Sequence, residues 1–161
     1  MIFPQFLALE LSSAEDNGFP IAISWSLPDG QLKSVLITPD DEWDPWENSA
    51  SHGDIQHLYD HGMTGPDVIH EMNEDLDGQT VFVEGLDEDE KFLDLLFETY
   101  SNSLGFEIAP ITQLYPQMDF ESILTLREQI SNENQFNLEH LDDRIKALLF
   151  LHAHIQDNSN L

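Results

Sequence analysis

The segment FLALEL, residues 6–11, constrains this chain more than any other. It is short, apolar and closes on a carboxylate, which is the pattern of a buried β-strand. A second run of the same kind, TVFVEG at 80–85, is rich in β-branched residues and flanked by glycine. Between and beyond these runs the hydrophobic period changes repeatedly. FPIAISWSL alternates Ile21, Ile23 and Trp25 with small residues, and QLKSVLITP places Leu32, Val35 and Ile37 in alternation. The turn segments AEDNG and PDG separate the runs. Strands are therefore expected at 6–11, 19–27 and 31–38, as an antiparallel meander.

Helical patterning follows. DDEWDPWENSASHGD reads as a long polar loop and IQHLYDHG as a short helix. TGPDVIHEMNEDL offers Thr64 as a cap, with Asp67 placed as in a capping box and Val68, Ile69, Met72 and Leu76 as the apolar stripe. In DEDEKFLDLLFETYSNSLG, Phe92, Leu93, Leu96 and Phe97 form an apolar helix face, and Gly105 is read as its terminator. FEIAPI predicts a short strand near 106–109. From Asp119 to about Ile155 the chain reads as helical, with a break near SNENQFN. This order describes one α/β domain spanning 1–161, with a mixed five-stranded sheet flanked by helices. The strands near 80–84 and 106–109 are expected parallel to the first.

Charge narrows the function classes. Five Lys+Arg stand against 32 Asp+Glu, for a formal net charge of −27. Such a field repels polyanions and favours cations, basic partners or solubility in salt. A basic face of the kind that neutralises phosphates would have to come from Lys33, Lys91, Arg127, Arg144 and Lys146 alone. The absence of cysteine excludes disulfides and thiolate metal sites. The amino-terminal MIFPQFLALE has no basic region and reads as a strand, not a signal peptide. No apolar run approaches the roughly 18–20 residues that cross a bilayer, so a cytoplasmic protein with no membrane partner is expected.

The order of elements, with carboxylates at particular places, resembles the DnaQ-like 3′–5′ exonucleases of the ribonuclease H-like fold. The resemblance is carried by FLALELSS, GFPIAISW, VIHEMNEDLDGQTVFVEGLDEDEKFLDLLFE and LEHLDDRIKALL, nearly the whole chain. It implies a ribonuclease H-like three-layer domain. It also implies two divalent metals, Mg²⁺ or Mn²⁺, held about 3.5–4 Å apart to stabilise the attacking and leaving oxygens of a phosphodiester. Four carboxylates hold such a pair, two of them as D-x-E on one face of the first strand, and a His activates the water.

On that resemblance the catalytic positions are Glu10, Ser12, Asp89, Leu138 and Asp143. Asp89 and Asp143 match the family. Glu10 stands where Asp is expected, Ser12 replaces the Glu, and Leu138 replaces the catalytic His. Metal ligands would then be Glu10, Asp89 and Asp143.

Each of these residues also has an ordinary reading. A glutamate at a strand end is commonly solvated, and Asp89, Asp142 and Asp143 sit where helix dipoles favour acids. His140 is one candidate for the missing base. The spacing of His52, His57, His61 and His70 matches no established ligand motif. Trp43 and Trp46 have acidic neighbours that disfavour an approaching phosphate chain, so packing or partner contact is the expectation. Three functions follow: a homologue with a degraded, inactive or very weakly active site; a Mg²⁺- or Mn²⁺-dependent 3′–5′ exonuclease with a variant site, acting on nucleic acid; or an acidic module that binds a basic or nucleic-acid-binding protein.

Overall fold

The computed structural model describes residues 2–13, 15–49 and 52–159. Its strands are β1 (Gln5–Leu11), β2 (Pro20–Ser26), β3 (Leu32–Leu36), β4 (Thr80–Val83) and β5 (Glu107–Pro110). The helices are α1 (His52–His61), α2 (Gly65–Leu76), α3 (Leu86–Thr99), α4 (Phe120–Glu133) and α5 (Leu141–Ser159). The strands form one sheet in the order β3-β2-β1-β4-β5.

The meander pairs as its turns require. β1 runs antiparallel to β2, with Leu9 opposite Ile23, and β2 antiparallel to β3, with Ile23 opposite Val35. β4 pairs parallel to β1 through Gln5–Val81 and Phe6–Phe82, and β5 parallel to β4. The apolar runs FLALEL and TVFVEG are thus neighbours within the sheet. The sheet is mixed and five-stranded, as the sequence predicts.

Alternation along β1 divides the core. Leu7 and Leu9 join Ile23, Trp25, Val81 and Val83 beneath α2 and α3, which contribute Met72, Leu76, Phe92 and Leu96. Phe6 and Ala8 face the other way, into a cluster built by Ile123 and Ile130 of α4 and Ile145 and Leu148 of α5. With helices on both faces, β1 needs apolar side chains at successive positions, which is why its sequence does not alternate.

Two local readings need correction. Thr64 caps α2 by backbone position, but its side chain makes no capping hydrogen bond, so the box with Asp67 does not form. α3 ends at Thr99, well before Gly105. Ser101 takes the left-handed conformation (φ 55°), and the Asn102 N–H donates to the Phe97 carbonyl. Gly105 lies instead in a tight place before β5, where a Cβ would meet an Asp77 carboxylate oxygen at 3.1 Å and the side chain would have to shift slightly. In the polar loop before α1 the tryptophans pack, in line with the expectation for them. Trp43 stacks on Phe19 and donates through Nε1 to Thr99 Oγ1 at 2.9 Å, while half-exposed Trp46 stacks on Tyr59.

Candidate functional site

Parallel β1 and β4 both point their carboxyl ends toward the start of α5, and crevices at such ends collect functional groups in α/β sheets. β1 reaches this region with Glu10, which is exposed and paired with Ala22. Immediately afterwards the register slips between Glu10 and Leu11. That irregularity ends the strict alternation on which a D-x-E geometry depends. Ser12 lies beyond β1, and its hydroxyl is fully engaged: it accepts the Phe19 N–H at 3.0 Å and donates to the Asn48 carbonyl at 3.0 Å. Ser12 therefore fastens the turn after β1 to the loop before α1.

Asp89 sits in the first turn of α3, just past the end of β4. Burial pushes its carboxyl up to about 6. The Arg144 guanidinium and the Gly85 backbone N–H pull in the opposite direction, while Glu88 and Glu84 add to the rise. Arg144 is itself anchored, because its Nη1 donates to the Leu9 carbonyl at 3.2 Å. A fixed cation thus sits between the end of β1 and the start of α3. Behind it, Glu84 at the end of β4 is ion-paired with Arg127 of α4. Both side chains are nearly buried, and Glu84 Oε1 and Arg127 Nε have no hydrogen-bond partner.

The start of α5 is also tied down. Asp143 Oδ2 accepts the Asn137 N–H at 2.8 Å, and its Oδ1 lies 3.9 Å from Lys146 Nζ. Asp142 accepts a short hydrogen bond from Ser34 of β3.

Glu10 and Asp143 come together, lining one hollow of about 680 Å³ with His140 and Asp142. Asp89 does not line it and communicates with this end of α5 through Arg144. Leu138, half-buried, borders a separate hollow beside Phe136. His140 precedes the helix, and its carbonyl accepts the Arg144 N–H at 3.0 Å. His140 is therefore the N-cap position of α5, half inside the helix.

Among the described residues, no three His, Cys, Asp or Glu side chains assemble as a group able to hold a metal ion. What this end of the sheet does chemically is compensate charge, through Arg144 and Arg127.

Those two arginines, with Glu84, are the residues that sequence reasoning missed. Their signal was scarcity. With five Lys+Arg in the chain, each basic group has a carboxylate near it: Lys33 pairs with Glu71 and Asp75, Lys91 with Asp16, Lys146 with Asp143, Arg127 with Glu84, and Arg144 acts on Asp89. No protein-family model matches this chain, and no curated protein matches it. Among the described residues, no helix is long and apolar enough to cross a membrane.

Proposed function

We propose that this chain is a DnaQ-like 3′–5′ exonuclease homologue of ribonuclease H-like fold whose two-metal site is degraded, leaving it inactive or nearly so on nucleic acid. The observation that carries this reading is Arg144, whose guanidinium bonds the Leu9 carbonyl and acts on Asp89. A divalent pair at the end of β1 requires an unshielded cluster of anionic oxygens. A resident guanidinium satisfies part of that negative charge permanently and repels a second cation. The sheet order and strand directions support the ribonuclease H-like assignment. Ser12 supports the loss of a ligand, since its hydroxyl holds two loops together. The net charge of −27 supports exclusion of a polyanionic substrate.

One observation favours a second reading, a Mg²⁺- or Mn²⁺-dependent exonuclease with a variant site. Glu10, His140 and Asp143 share a hollow, so two carboxylates and a base are already near one another. The deciding experiment is isothermal titration with Mn²⁺, run beside hydrolysis of short single-stranded RNA and DNA. The proposed reading expects no saturable Mn²⁺ binding at this site and no cleavage. Metal-dependent cleavage that disappears in both Glu10→Gln and Asp143→Asn would establish the second reading instead.

A further inference from the structure

A groove of about 930 Å³ runs along α5, away from the hollow that holds Glu10. Its floor is apolar, built from Phe3, Leu32, Ile130, Phe136 and Leu149, with Phe150 at its side. Phe150 is 47% exposed although it belongs to the helix that packs the core, and it meets Phe136 edge-to-face at 5.1 Å. The walls are fixed before anything binds. The Phe3 N–H donates to the Pro28 carbonyl at 2.9 Å, and Gly30, at φ +88°, closes the turn over the Phe3 ring, where a Cβ would lie 3.1 Å from it. Preorganised apolar surface of this kind is a binding surface, since ordering it costs little on association.

The rim determines the occupant. Asp29, Glu133 and Asp157 border the groove. Of its basic neighbours, Lys146 lies 3.9 Å from Asp143, and His154 Nε2 lies 2.9 Å from the Asn158 amide nitrogen. The rim is thus net acidic on a chain whose formal charge is −27. A second copy would bring the same charge to the same place, and a nucleic acid would bring more of it, so both are repelled.

We propose that this groove docks a basic, amphipathic segment of another protein, which seats an apolar side chain against Phe136 and Phe150 and pairs its Lys or Arg with Glu133 and Asp157. Apolar anchors in a groove supply affinity, and the charged rim supplies specificity and speed of association. The inference is independent of the reading of the sheet-end site, which the Mn²⁺ titration tests separately.

The experiment measures fluorescence anisotropy of a labelled lysine–leucine peptide patterned as an amphipathic helix, at near-physiological salt, with oligolysine of equal charge as the comparison. The amphipathic peptide should bind at least about tenfold more tightly than oligolysine, and Phe150→Asp should remove about tenfold or more of its affinity. Reversing two exposed rim charges, Glu133→Lys with Asp157→Lys, should weaken it comparably and provides a second variant with no core residue altered. Equal binding by oligolysine, or unchanged affinity in Phe150→Asp, overturns the proposal. So does a dimer in sedimentation equilibrium that Phe150→Asp dissociates, which would assign the groove to a second copy.

Discussion

At its amino-terminal end α5 is held by polar contacts, to the sheet through Arg144 on the Leu9 carbonyl and Asp142 on Ser34, and to the turn before it through Asp143 on the Asn137 N–H. Farther along, the same helix borders a groove through Leu149 and half-exposed Phe150. Lys146 lies between the two regions and lines both. The first region is where the family resemblance places catalysis, and there most charged groups are paired inside the protein, with Asp89 only partly compensated by Arg144. The second carries no catalytic motif, yet it leaves apolar surface uncovered. Internal satisfaction and readiness to bind are opposed, because a group already paired has little interaction free energy left to give a ligand.

The largest effect expected from breaking this contrast is at the Glu84–Arg127 pair. Arg127→Met should destabilise by about 3–5 kcal/mol, because it strands a nearly buried carboxylate. Urea unfolding of the double variant Glu84→Met/Arg127→Met should recover most of that loss. A single variant as stable as the parent would show that the pair is solvated and that this end of the sheet is open.

Asp89 gives the next effect, with the opposite sign. Its folded carboxyl titrates at about 6, against about 3.9 for an unfolded aspartate. The folded state therefore favours the protonated form. Asp89 costs nothing at low pH, and its penalty grows from about pH 4 to about pH 6 and stays constant above that. Asp89→Asn should stabilise the protein by about 2–3 kcal/mol at pH 7 and have little effect below about pH 4. Thermal unfolding across that range checks it. No gain at neutral pH would mean that Arg144 already compensates the charge in full.

Ser12→Ala should cost about 1–2 kcal/mol, since it removes one acceptor and one donor from a partly buried junction. Loss of stability with no change in Mn²⁺ response would confirm the fastening role of the hydroxyl. The smallest effect belongs to the groove: Phe150→Asp should cost no more than about 1 kcal/mol, mostly the lost edge-to-face contact with Phe136. Large destabilisation there would mean that the ring is structural, and the contrast between the two ends of α5 would disappear.

The elements were legible because each rests on local pattern. FLALEL and TVFVEG could be recognised as central strands from their unbroken apolar character, and Phe92, Leu93, Leu96 and Phe97 from helical spacing. Gly105 misled because glycine ends helices in general, whereas here it lies beyond the helix, in tight contact with the Asp77 side chain. The candidate site was legible only in part. The sequence suggested that Glu10, Asp89 and Asp143 converge; Glu10 and Asp143 line one hollow, and Asp89 lies outside its lining. It gave no hint that Ser12 is spent on Phe19 and Asn48, or that a register slip follows Glu10.

Period and turn chemistry, then, determined the strands, the helices and the antiparallel meander from the sequence alone, because those depend on neighbours a few residues apart. Tertiary structure decided which polar and charged groups meet. Arg127 finds the Glu84 carboxylate across 43 positions of chain and Arg144 finds the Leu9 carbonyl across 135. Coulomb energy depends on distance and burial in three dimensions, and neither quantity is written in the spacing of residues along a chain.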